Sequence, residues 1–127
     1  MSEPLFLTVK QVERLHEKLI NRFGGTHGLR DPLLFEGAVI HPRNVYYYAR
    51  GDLFDVAAAY AFHIAQAQAF LDGNKRSGVA AALVFLEING VPVPAETDRL
   101  YHAMIAIAEK RMNKDQLSVL LRELTAK

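Results

Sequence analysis

Apolar residues recur at helical spacing along most of the chain. Val12, Leu15, Leu19 and Ile20 trace one such face, and Thr8 with Gln11 three positions on has the form of a capping box ahead of it. Gly24 and Gly25 stop this helix. Asp31-Pro32 starts a second, a cap residue followed by proline at the first helical position. It is expected to fade near Ile40, because Pro42 disfavours helical backbone at His41. Asn44 to Gly51 then breaks the period. Val45, Tyr46, Tyr47 and Tyr48 prefer extended backbone, which predicts a loop or short flap with partly exposed aromatic rings.

From about Asp52 an alanine-rich stretch predicts a long helix to about Phe70, with small side chains that let neighbours approach closely. Asp72-Gly73 interrupts it. A further helix is expected from about Asn74 to Ile88, ended by Asn89-Gly90. Val91-Pro92-Val93-Pro94 reads as an extended connector. Thr97 or Asp98 caps a helix to about Lys110, and Asn113 with Gln116 caps a last one ending at Leu124. The pattern predicts an all-α fold of about six helices with little or no sheet. Helices 53–70 and 74–88 are expected to pack antiparallel at its centre. Ala80, Leu83, Val84 and Ile88 should be mostly buried against Ala58, Ala61, Phe62 and Ala65.

Composition narrows the class. The 127 residues suit one domain, without repeat, linker or low-complexity tract, and half of them are apolar, which argues against intrinsic disorder. Fifteen basic residues nearly balance fourteen acidic ones, so a dedicated nucleic-acid-binding face is not expected. There is no cysteine, which excludes disulfides and cysteine-rich zinc sites. His16, His27, His41 and His102 show no paired ligand spacing. No apolar run reaches bilayer length, and the N-terminus lacks a signal-peptide layout. The expected setting is soluble and cytoplasmic.

The segment that carries chemistry is Gln68-Ala69-Phe70-Leu71-Asp72-Gly73-Asn74-Lys75-Arg76. Its last residues open a helix, whose unpaired N–H groups and partial positive charge attract anions. Gly73 permits close approach of a phosphate to backbone. Lys75 and Arg76 add full charges, and a guanidinium can hold a phosphate through two N–H groups. Asp72 is a hard oxygen ligand suited to the magnesium ion that accompanies phosphates. Taken alone, Asp-Gly-Asn at a helix start is more often ordinary turn and cap chemistry.

The segment resembles the signature of the Fic/Doc family, His-Pro-Phe-x-(Asp/Glu)-Gly-Asn-Gly-Arg, and its lysine matches the Doc branch. Leu15-His16, Arg22-Phe23-Gly24-Gly25, Gly28-Leu29-Arg30-Asp31-Pro32, Ala57-Ala58-Ala59-Tyr60 and Phe85-Leu86-Glu87-Ile88-Asn89-Gly90 fit the same pattern. The resemblance covers roughly residues 7 to 90. It implies transfer of phosphate or AMP from ATP, with magnesium, to a hydroxyl of a target protein such as a translation elongation factor. It also implies an antitoxin supplied as a separate chain. Carried over by position, Asp72 would hold the metal, Gly73, Asn74 and Lys75 would line an anion hole, Arg76 would grip a phosphate, and Phe70 would pack beneath the loop. Some Fic proteins carry an inhibitory segment of their own. Glu36-Gly37 has the ending of one, but Pro32 stands where its hydroxyl residue belongs.

One departure bears on activity. Gln68 stands at the motif's histidine position, and Ala69 at its proline. An imidazole can take a proton near neutral pH; a carboxamide cannot, although it can orient a hydroxyl. His63 lies five residues earlier, rotated by about 140° on a helix, so it should point away from the Gln68 face. Three functions follow: a Doc-type transferase impaired at its base, a non-catalytic nucleotide- or antitoxin-binding protein of the same fold, and, weakest, a helical nucleic-acid binder. The segment Val45 to Tyr48 is a candidate wall for docking the target.

Overall fold

A computed structural model of the protein describes residues 3–93 and 98–125. These form six helices: α1 (Val9–Phe23), α2 (Pro32–Tyr47), α3 (Leu53–Ala67), α4 (Asn74–Ile88), α5 (Asp98–Ala108) and α6 (Lys114–Thr125). Among the described residues there is no strand, only an isolated antiparallel bridge between Leu29 and Phe70. The fold is all-α. No described helix is long and apolar enough to cross a membrane.

The helix starts follow local chemistry. Thr8 and Gln11 form the reciprocal capping box of α1, Asp31 caps α2 ahead of Pro32, and Asp52 with Asp55 caps α3. Asn113 and Gln116 bond each other's backbone N–H at the start of α6. Asp98 opens α5, while Thr97, the other cap candidate, lies outside the described residues.

Helix α3 is the axis of the molecule, with Val56 to Ala61 all buried. It packs antiparallel on α4 and also against α2 and α6. Contact between α3 and α4 is closest at Gly78, where a Cβ would lie 2.6 Å from the carbonyl oxygen of Ala61. Phe85 and Tyr60 meet further along at 5.2 Å. The Tyr60 hydroxyl, buried with its pKa pushed up to about 12 by desolvation, accepts the N–H of Leu7.

Three expectations change. Helix α2 does not fade near Ile40 but runs to Tyr47, so Val45, Tyr46 and Tyr47 are helical and no flap forms. Pro42 lies inside it and is buried. Tertiary packing explains the override, since amphipathic burial outweighs local propensity. Phe6 packs its ring 6.0 Å from Tyr46 and 5.8 Å from Tyr47, and Tyr47 donates its hydroxyl proton to Glu3 at 2.6 Å. Secondly, α3 stops at Ala67 rather than Phe70. The Asn74 side chain accepts the Phe70 N–H and donates to the Phe70 carbonyl, both at 3.0 Å, occupying groups that another helical turn would need. Thirdly, the buried side of α4 is Ser77, Gly78, Val79, Ala81, Ala82, Phe85 and Leu86. Ala80, Leu83 and Val84 are half-buried and Ile88 is exposed, while on α3 Ala58 and Ala61 are buried and Phe62 and Ala65 half-buried. The close approach at Gly78 rotates α4 so that its small residues face the axis.

Candidate functional site

The irregular loop between α3 and α4 holds the whole candidate motif. Gln68 takes the left-handed conformation, φ 47°, that ends α3. Such a backbone costs a non-glycine residue on the order of 1 kcal/mol or more and persists only where neighbours impose it. Arg30 is such a neighbour, donating from its guanidinium to the Gln68 carbonyl. The following backbone is braced by the segment before α2. The N–H groups of Arg30 and Asp31 donate to the Ala69 carbonyl at 2.6 and 3.1 Å, and Leu71 donates to the Gly28 carbonyl at 3.0 Å.

Beneath the loop Phe70 is buried. Its ring stacks on His16 at 3.6 Å, nearly parallel, and meets Phe35 at 4.8 Å. His16, itself buried in α1, places Nε2 2.7 Å from the Asp72 carbonyl oxygen. The Asp72 carboxylate accepts the N–H of Gly73 at 2.9 Å and that of Thr26 at 3.2 Å. Gly73 is left-handed, φ 77°, and a Cβ there would approach Ile20 to 3.1 Å. Glycine answers both demands.

Helix α4 begins with Gly73 as its cap residue, and no side chain caps its first-turn amides. They open on a surface cavity of about 350 Å³ lined by Ala65, Gln68, Leu71, Asp72, Gly73, Asn74, Lys75 and Arg76. Gln68, Asp72, Lys75 and Arg76 are all exposed there. The Arg76 guanidinium sits 4.3 Å from the centre of the Phe23 ring and 5.7 Å from that of Tyr101, which holds a mobile side chain at the cavity while leaving its N–H groups available.

The structure therefore gathers Gln68, Asp72, Gly73, Asn74, Lys75 and Arg76 into one cavity. It adds four residues that the motif did not point to: His16, Arg30, Phe23 and Tyr101. His16, Phe23 and Arg30 lie in segments that fit the family pattern, and His16 carried a further signal. It shares the buried stripe of α1 with Val12 and Ile20, and a buried imidazole needs a hydrogen-bond partner. Val45 to Tyr48 do not line this cavity. Val45 borders another, of about 230 Å³, with Asp55 and Lys114. Tyr48 is 84% exposed.

His63 faces elsewhere. Its ring lies 4.1 Å from that of His41 on α2, and Nε2 is 3.2 Å from Lys114 Nζ on α6. Burial first, then the His41 and Lys114 charges, push its pKa down to about 4, so at neutral pH it is uncharged and accepts from the lysine. Among the described residues no three His, Asp or Glu side chains converge as a metal-holding group. Asp72 is then a single carboxylate beside the uncapped start of α4. Its two bonded oxygens keep lone pairs for a cation, and one or two carboxylates plus substrate phosphates is how magnesium is commonly held.

Fold and loop together define a class: an all-helical domain whose one braced irregular loop opens a helix N-terminus, flanked by cations, onto the surface. Comparison with known proteins gives that class a family. The model of the Fic/DOC family matches residues 6–86. The chain is 36% identical over 88 residues to the protein kinase doc of Escherichia phage P1, covering 68% of this chain and 70% of that protein. It is 38% identical over 102 residues to the toxin Doc of Mycolicibacterium smegmatis, covering 76% and 77%. The chain belongs to the Fic/DOC family.

Proposed function

We propose that the protein is a Doc-type toxin of a toxin–antitoxin pair, with ATP as its substrate. In this reading it transfers phosphate, or AMP, slowly to a hydroxyl of a target protein. The observation that carries the reading is the uncapped N-terminus of α4, opening between Asp72, Lys75 and Arg76 onto the same cavity as Gln68. Family membership and the names of the two relatives support it. Asn74, Lys75 and the first-turn amides would receive the phosphates, and Arg76 would hold one through paired N–H groups. Asp72 would hold magnesium, which when bound neutralises phosphate charge. Gln68 can orient the target hydroxyl but cannot take its proton, a loss on the order of a hundred- to ten-thousand-fold. Phosphoryl transfer depends largely on positioning and charge stabilisation, so slow turnover survives that loss. An antitoxin would be a separate chain, and an elongation factor is a candidate target. Exposed Tyr48, at the end of Val45-Tyr46-Tyr47-Tyr48, is proposed as a docking contact for that target.

The absent base also favours a second reading, a protein of the same fold that binds nucleotide or antitoxin without turnover. One experiment separates the two. Calorimetry with ATP and magnesium on the wild type and Arg76→Ala measures the site, and ATP-dependent labelling of bacterial lysate by wild type and Gln68→His measures the chemistry. The transferase reading expects binding weakened by Arg76→Ala and labelling raised at least ~100-fold by Gln68→His, with ATP affinity nearly unchanged. Ala69 tempers the gain if the restored ring points an ångström wrong, so Gln68→His with Ala69→Pro is the companion variant. Binding without labelling by either variant selects the second reading. No binding of ATP by the wild type overturns both nucleotide readings.

A further inference from the structure

His16 belongs to no part of the motif, yet it touches the motif at its turning point. The imidazole is 4% exposed and lies flat on Phe70, ring centres 3.6 Å apart and planes within 7°. Its Nε2 is 2.7 Å from the carbonyl oxygen of Asp72. A carbonyl only accepts, so Nε2 carries the proton.

That carbonyl is one end of the Asp72–Gly73 peptide unit. Peptide units are planar and trans, so the C=O and the following N–H point in opposite directions. Holding the Asp72 oxygen on the His16 side therefore sends the Gly73 N–H to the other side, where the Asp72 carboxylate takes it at 2.9 Å. Gly73 is the residue at which this plane can most easily turn over, because glycine occupies either sign of φ with little penalty. A turned plane would aim a carbonyl oxygen at the Asp72 carboxylate, displacing that side chain and the start of α4 that Gly73 leads into. Within the Asp-Gly pair only the exposed Asp72 carboxylate opposes that, from the N–H end. The buried His16 holds the carbonyl end.

We infer that His16 is a positioning residue that locks the Asp72–Gly73 peptide, and with it the uncapped start of α4 that Gly73 leads into, and that it acts on phosphate affinity through the loop without touching the ligand. The ring's stack on Phe70 supplies rigidity, and His16 lies on the buried stripe of α1 with Val12 and Ile20. The inference rests on the proposed nucleotide site, which it deepens by naming what presets the loop.

The test separates the donor from the ring. His16→Phe keeps an aromatic ring on Phe70 and removes the donor. His16→Gln removes the ring and places an amide N–H near the position of Nε2. Heteronuclear spectra of the wild type should show His16 as the Nε2–H tautomer. His16→Phe should remain folded, bind ATP with magnesium about tenfold or more weakly, and show exchange-broadened amides at Gly73 and Asn74 even without ligand; the factor is that of leaving a part-buried carbonyl unpaired. His16→Gln should bind within about threefold of wild type, since a neutral hydrogen bond is replaced by another of similar worth. A purely structural histidine would not give that rescue. A folded His16→Phe with wild-type affinity and sharp Gly73 signals overturns the inference, as does an Nδ1–H tautomer in the wild type. If His16→Phe does not fold, the wild-type tautomer and the His16→Gln affinity decide. If the wild type binds no ATP, the nucleotide site fails, and the lock is judged separately from the Gly73 amide in the ligand-free variants.

Discussion

Replacing Gly78 by alanine sets helix propensity against packing, and the two disagree in sign. In a solvated helix the change stabilises by about 0.8–1 kcal/mol. At Gly78 the added Cβ would stand 2.6 Å from the Ala61 carbonyl oxygen and 3.3 Å from the Ala61 Cα. Both are backbone atoms of α3, the most buried helix, so no side chain can swing aside and the two helices must part by several tenths of an ångström. Overpacking of this kind costs about 1–3 kcal/mol. Gly78 also faces Ala61 one turn beyond Asn74, so parting the helices disturbs the loop they hold. The expected net destabilisation is up to about 2 kcal/mol once the propensity gain is subtracted, or a Tm lower by up to about 8 °C. Gly37 provides the control. It lies exposed in α2 with nothing within 4 Å of a Cβ, so Gly37→Ala should stabilise by up to about 1 kcal/mol. Urea unfolding of both variants, with unchanged m-values, measures the pair. A Gly78→Ala protein stabilised as much as Gly37→Ala would refute the close-contact argument.

Two further outcomes follow from the site and its surroundings. His63 has a folded pKa of about 4, below the ordinary value of about 6.5. In the window between these values the unfolded chain takes up a proton that the folded chain refuses, so stability falls as pH drops from about 6.5 to about 4; His63→Gln should flatten that part of the pH–stability curve, and an unchanged slope would show that the imidazole is not held neutral. Gln68→Gly should raise stability by about 0.5–1 kcal/mol, because the left-handed backbone at this position suits glycine and the bond from Arg30 reaches a backbone oxygen that remains; a lower Tm would mean that the side chain itself supports the loop.

Helix starts and the loop motif were legible in the sequence because both depend on a few adjacent residues. Thr8 with Gln11 and Asp31 with Pro32 act within one turn, and the glycine at 73 signals the break by itself. What was illegible depended on residues far apart in the chain. The tyrosines after Pro42 read as extended until Phe6 and Glu3, some forty residues away, are seen to hold them in helix. The early end of α3 depends on Asn74 and Arg30. The buried face of α4 missed by periodicity is the one carrying Gly78 and Ala82. Small residues score weakly as apolar, yet they decide where two backbones can meet.

The bracing of the loop also bears on what it is for. The carbonyls of Gln68, Ala69, Phe70 and Asp72 accept bonds, in turn, from the Arg30 guanidinium, from the backbone N–H groups of Arg30 and Asp31, from the Asn74 side chain and from His16. The amides of Phe70, Leu71 and Gly73 are likewise taken, by Asn74, Gly28 and Asp72. A loop so thoroughly paired has little left to offer a ligand, with one exception: the first-turn amides of α4, which no side chain caps. Ordinary turn chemistry would have capped them, as Thr8, Asp31 and Asp52 cap their own helices. Strain at Gln68 and positive φ at Gly73 are tolerated around the one helix start of these that is left open. Lys75 and Arg76 stand beside it, whereas α2 and α3 begin on Asp31 and Asp52. The positive end of a helix dipole next to two cations is unfavourable by itself and becomes favourable when an anion joins them. The local electrostatics support the proposed anion site, and they remain in place whether or not residue 68 can accept a proton.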